Sequence, residues 1–171
     1  MISEGTNFVL ITNHRSIIDP LVIELALSKS KIPMGYWAAK DDLYNSPFFG
    51  MFTRNAGTIL VNRKKNDSIR FFREVKEKVS NNNSIFIFPE GTRNKTESDL
   101  IEFQGGTNII AMKNKLDILP IYIKTNTQKA LKNSIKNKEK QIIEVIIGKT
   151  ISRKERDIRT NFIEQFNLKN I

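Results

Sequence analysis

Short apolar runs rich in β-branched and aromatic residues recur at positions 7–12, 34–38, 57–61, 84–88, 118–124 and 141–147, and their length and composition predict strands. Most lack the alternation of a half-solvated strand, so burial on both faces is expected. Between them, positions 19–28, 41–54, 67–79, 107–115 and 154–166 carry apolar residues at helical spacing. Asp67 is placed to cap a helix starting at Ser68, and Asn81-Asn82-Asn83 to end it. The alternation of strand and helix predicts an α/β fold: a single layered domain with a mostly parallel or mixed central sheet flanked by helices. Positions 127–140 are polar and lysine-rich and read as a solvated insertion or a helical hairpin ahead of a last strand and helix in 141–171. No internal repeat and no second core divide the chain.

Composition narrows the chemistry. At 171 residues and 39% hydrophobic, the chain suits one core that buries roughly two thirds of the unfolded surface. With no cysteine there is no disulfide framework, no thiolate metal site and no cysteine nucleophile, so any covalent nucleophile is a hydroxyl, amine or carboxylate; separately, no metal is assigned to the site. The 28 Lys+Arg against 18 Asp+Glu give a formal charge of +10, which favours anionic partners: nucleic acid, acidic lipid surfaces or phosphorylated small molecules. A chain-wide enrichment in Lys, Asn and Ile dilutes that signal. No apolar run approaches the roughly 18–20 residues of a membrane-spanning helix, and the first seven residues lack the pattern of a signal peptide.

Three strand ends carry polar constellations. His14, the one histidine in the chain, follows the first apolar run in Asn13-His14-Arg15-Ser16-Ile17-Ile18-Asp19. If Asp19 opens the next helix, its carboxylate can reach one imidazole nitrogen and leave the other free to take a proton. The same residues also suit a packed histidine followed by an ordinary helix cap, and the spacing alone does not choose. Phe88-Pro89-Glu90-Gly91-Thr92-Arg93 offers a carboxylate, a glycine that allows close backbone approach and an arginine suited to phosphate; a plain turn with a surface Glu90–Arg93 pair reads equally well. Gly57-Thr58-Ile59-Leu60-Val61-Asn62-Arg63 delivers a cation at the end of a glycine-started strand, which by itself fits a solvated loop.

In this order the blocks resemble the motifs of the glycerolipid acyltransferase family, most closely its bacterial 1-acylglycerol-3-phosphate acyltransferases. The NHxxxxD motif matches Asn13 to Asp19, the second motif Gly57 to Arg63, FPEGTR matches Phe88 to Arg93 without a gap, and Ile118-Leu119-Pro120-Ile121 matches the fourth. The resemblance covers roughly residues 7–125. It implies a glycerolipid acyltransferase-like fold and transfer of a fatty acyl group from acyl-CoA or acyl-ACP, as co-substrate, to the sn-2 hydroxyl of lysophosphatidic acid, giving phosphatidic acid with no further cofactor. His14 is then the general base and Asp19 its orienting partner. Arg63 and Arg93 hold the glycerol phosphate, Glu90 meets the glycerol backbone or braces those arginines, and Gly91 and Thr92 present main-chain groups. Gly57 keeps space for the phosphate, Pro120 shapes the acyl end, and Ser16 stays as a remote nucleophile candidate.

The resemblance further implies a bacterial enzyme lying peripherally on the cytoplasmic face of the membrane, with lysophospholipid, acyl thioester and acyl carrier protein as partners and no nucleic acid. Phe48, Phe49, Met51 and Phe52 fit either membrane contact or an apolar helix face packed on the sheet. Two departures stand out. Gln104 occupies the place of a family lysine, and the N-terminal membrane-docking helices of many members do not precede Phe8, so attachment uses another surface or the sequence is a shortened one. Glycerol 3-phosphate or another lysophospholipid as acceptor, a non-catalytic acyltransferase-like protein and a nucleic-acid-binding protein are the alternatives.

Overall fold

The computed structural model describes residues 6–28, 30, 32, 35–40, 57–61 and 68–169. Arg63, Asp67, the apolar group at 48–52 and the helix expected at 41–54 lie outside them. The elements are β1 (Val9–Thr12), α1 (Asp19–Ser28), β2 (Gly35–Lys40), β3 (Thr58–Val61), α2 (Ser68–Ser80), β4 (Ser84–Ile87), α3 (Gly106–Asn114), β5 (Ile118–Ile123), α4 (Thr127–Asn137), β6 (Val145–Ile147) and α5 (Ile158–Phe166). All six strands join one sheet in the order β3-β2-β4-β1-β5-β6, parallel except for the β5–β6 pair.

The continuous apolar character of β1 follows from its central place. Val9, Leu10 and Ile11 have no exposed surface, and each fully buried side chain of this kind contributes about 1.5–3 kcal/mol. Alternate residues feed two cores. Val9 and Ile11 join Phe71 and Val75 of α2, Ile110 of α3 and Phe162 of α5 on one face; Phe8 and Leu10 join Ile23 and Leu27 of α1 with Trp37 and Phe86 on the other.

This division follows from connection handedness. The crossover from β1 to β2 runs one way along the sheet, while those from β3 to β4 and from β4 to β5 run the other way. Right-handed crossovers in opposite directions must place their helices on opposite faces.

Some boundaries differ from the sequence reading. α5 begins at Ile158 because the Asp157 carboxylate accepts the Thr160 N–H as an N-cap, leaving the residues from 152 in turns. Within 127–140 the chain forms one helix, α4, which ends at Asn137, is capped by Asn126 and is anchored through buried Thr127 and Ala130. β6 is confined to Val145–Ile147. Pro120 is buried within β5 opposite Ile11, and its carbonyl accepts the Gly148 N–H, so it shapes the sheet.

Candidate active site

Adjacent strands β1 and β4 are followed by helices on opposite faces, the topology that opens a crevice at strand C-terminal ends. His14 lies two residues past β1, and Asp19 is the first residue of α1. His14 Nδ1 sits 2.9 Å from Asp19 Oδ2. Asp19 is fully buried; Oδ2 also accepts the N–H groups of Arg15 at 2.6 Å and Ser16 at 2.7 Å, and Oδ1 accepts the Thr127 hydroxyl. Opposite a carboxylate that only accepts, Nδ1 carries the imidazole hydrogen and Nε2 keeps its lone pair, a tautomer assigned from the hydrogen-bond network. Ser16 is itself fully buried, with Oγ accepting the Ile18 N–H, so its hydroxyl does not face a substrate.

An aromatic pile fixes the ring. His14 stacks on Phe88 with centroids 3.8 Å apart and planes 17° from parallel, and Phe88 stacks on Trp37 at 4.9 Å. Trp37 in turn donates its indole N–H to Glu24 of α1 at 2.8 Å. Burial raises the Glu24 carboxyl above its ordinary range, against the opposing pull of that bond.

The main chain of His14 is held from both sides. Beyond β4, the Gly91 N–H donates to the Phe88 carbonyl at 2.9 Å with Gly91 at φ +66°, a left-handed conformation that suits glycine. This turn drives Glu90 inward until it is 2% exposed. Its Oε1 accepts the His14 N–H at 2.7 Å and its Oε2 the Ile101 N–H at 3.1 Å. Burial pushes the Glu90 carboxyl up to about 7, opposed by those two bonds and by the Arg15 charge and reinforced by Asp19. The His14 carbonyl accepts the Asn94 N–H at 2.6 Å. Arg15 spends its guanidinium on the Thr96 and Ser98 carbonyls, strapping the loop after Asn94 over the site. Asn13 extends β1 with its side chain: the amide donates to the Ile123 carbonyl at 3.0 Å and accepts the Ile123 N–H at 2.8 Å.

Beside this pair a cavity of about 440 Å³ is lined by Arg15, Arg93, Asn94, Lys95, Gln128 and Lys132, four cations and no carboxylate. Arg93 and Thr92 are exposed. Two site residues have structural partners that the sequence did not indicate. Glu90 has each oxygen accepting a main-chain N–H, so it braces the chain at His14 and Ile101. Gly57 opens β3 at φ +63°, where an added Cβ would meet the Tyr36 ring at 3.1 Å; Tyr36 packs in the core on the face away from Trp37 and the His14 pile. The positive φ and the Tyr36 ring give this glycine a packing reason of its own. The exposed Gln104 anchors through its main chain, donating to the Pro89 carbonyl at 2.8 Å, and lines a separate cavity of about 480 Å³ with Arg156 and Arg159. Asn13, Phe88 and Thr127 carry parts of the site that the sequence reading did not assign.

A family model described as Acyltransferase matches residues 1–124. The chain is 35% identical over 116 residues to a 1-acyl-sn-glycerol-3-phosphate acyltransferase of Helicobacter pylori, covering 67% of this chain and 47% of that protein. It is 31% identical over 140 residues to a protein of the same name from Borreliella burgdorferi, covering 80% of this chain and 53% of the other. The chain thus spans about half the length of these relatives. Among solved structures, the 1-acyl-sn-glycerophosphate (LPA) acyltransferase PlsC of Thermotoga maritima superposes with a TM-score of 0.67 at 22% identity, covering 96% of this chain and 65% of that one, which shows a shared fold.

Proposed function

Because the chain belongs to the acyltransferase family, we propose that it transfers a fatty acyl group from a thioester to the free hydroxyl of 1-acylglycerol 3-phosphate, making phosphatidic acid. The observation that carries this reading is the His14–Asp19 pair, whose geometry leaves Nε2 as the basic nitrogen at a strand-end crevice. Nε2 takes the acceptor's hydroxyl proton as the oxygen attacks the thioester carbonyl. The tetrahedral adduct then expels thiolate, which recovers that proton from the imidazolium, so no acyl-enzyme is required. Asp19 holds the ring through Nδ1 and faces the positive charge while it lasts.

The cationic cavity supports a phosphomonoester on the acceptor, with Arg93 as its forked donor and Lys95 and Lys132 adding charge. Arg63 is proposed as a second phosphate arginine on the strength of its motif position, and Gly91 and Thr92 as main-chain contacts to the same group. The donor is an acyl-CoA or an acyl carrier protein thioester. The acceptor's apolar tail calls for work at a lipid surface, and peripheral binding on the cytoplasmic face is the proposed location. No helix among the described residues is long and apolar enough to cross a membrane. Thiol release from acyl donors, measured with and without lysophosphatidic acid on the parent and on His14→Ala, tests the reading. Acceptor-dependent release that vanishes in the variant supports it; near-parental release by His14→Ala overturns the assignment of the base.

A further inference from the structure

Thr127 opens α4 in the lysine-rich stretch that follows the last motif, beyond residue 124, where the family match ends. It is 1% exposed, and its hydroxyl donates to Asp19 Oδ1 across 108 positions of sequence. Among the described residues it is the one donor to that oxygen; the other three contacts of the carboxylate all fall on Oδ2. Its position is set by the sheet. β5 lies beside β1, and α4 starts four residues past the end of β5, where the Asn126 side chain fixes the helix start by accepting the Lys129 N–H at 3.0 Å.

We propose that Thr127 is a positioning residue for the reaction, locking the plane of the Asp19 carboxylate so that Oδ2 stays on His14 Nδ1; this rests on the reading of His14 as the base. A carboxylate turns about its Cβ–Cγ bond, and the three contacts on Oδ2 oppose that rotation while leaving Oδ1 to find its own donor. The Thr127 hydroxyl satisfies the second oxygen in the same plane, so no competing orientation is favoured. Without it, Oδ1 is a buried acceptor lacking a partner, and any rotation that finds one draws Oδ2 away from the imidazole. The γ-methyl of a β-branched side chain restricts χ1 and keeps the hydroxyl aimed.

The single histidine makes the test direct, because every imidazole signal in a ¹⁵N-labelled chain belongs to His14. In the parent and in Thr127→Ser, the Nδ1 proton is expected as a slowly exchanging downfield resonance; in Thr127→Val, which keeps the shape and removes the donor, that resonance is lost to solvent exchange. In parallel, kcat should fall about tenfold in Thr127→Val with acceptor KM nearly unchanged, and Thr127→Ser should restore it. A folded Thr127→Val that keeps the protected resonance, or loses it with parental kcat, overturns the proposal. Should that variant not fold, Thr127→Cys, which keeps the size but donates only weakly, is read the same way. A parent without acyl transfer refutes the proposed reaction, while the resonance still decides whether Thr127 holds the pair.

Discussion

Glu90 accepts the main-chain N–H of His14 at 2.7 Å, so the carboxylate of one motif holds the histidine of another from behind, 76 positions away. Because Glu90 is almost fully buried, its contribution to stability depends on pH. Its folded-state value of about 7 lies above the ordinary 4.5, so the unfolded chain releases this proton first. The associated stability is complete below 4.5 and is lost as pH rises through 7, a change of roughly 3 kcal/mol. Urea unfolding of the parent from pH 4.5 to 8 should show that decline and Glu90→Gln should lack it, with the two curves closest at the acid end, where Glu90 is neutral like glutamine, and separating toward pH 8. The same slope in both proteins would exclude Glu90 as its source.

Asn13 satisfies both main-chain groups of Ile123. Asn13→Ala strands a buried donor and a buried acceptor and should cost about 2–4 kcal/mol, visible as a lowered Tm. Asn13→Asp keeps the acceptor but sets an oxygen against the Ile123 carbonyl, so it should gain little over alanine. A Tm unchanged in Asn13→Ala would show that the bridge contributes nothing.

Phe88 lies between His14 and Trp37, the one tryptophan of the chain. Phe88→Leu removes both stacks, each worth about 0.5–1.5 kcal/mol. It should shift the fluorescence of Trp37 and lower kcat several-fold with little effect on KM, whereas Phe88→Tyr should retain both signals. Parental turnover in the leucine variant would argue that the ring needs no support on that face.

Arg93 should matter in proportion to the acceptor's charge. A charge-assisted hydrogen bond is worth about 1.5–3 kcal/mol, so Arg93→Ala should raise KM for lysophosphatidic acid about 10- to 100-fold and leave a non-phosphorylated acceptor little changed. Lys132→Ala should give a smaller rise that fades with added salt. Equal losses with both acceptors would remove the phosphate from the cavity.

The layered sheet was legible because β1, β4 and β5 are unbroken apolar runs, the pattern that strands buried on both faces impose. His14 and Asp19 were legible as polar residues at a strand end, and their neighbours in sequence supplied the motif. What could not be read depends on strand order. Glu90 turns toward His14, and Thr127 toward Asp19, because β4 and β5 flank β1, and no local pattern encodes that adjacency. Thr127 was further masked by the lysines around it, which give its helix a solvated character. Gly57 shows the same limit: the motif that ends in Arg63 suggests a ligand, and only the Tyr36 ring reveals a packing need as well.

The central place of β1 also bears on how the chain is made. Its partners are Ile85 to Ile87 and Ile118 to Ile121, so this apolar strand waits for about 75 further residues before its first neighbour exists. At ribosomal speeds of about 5–20 residues per second, that delay is several seconds or more. During it Val9, Leu10 and Ile11 lack both of the strands that bury them in the finished sheet. The contacts that place Glu90 against His14 and Thr127 against Asp19 are therefore absent until β4, β5 and the start of α4 have been made.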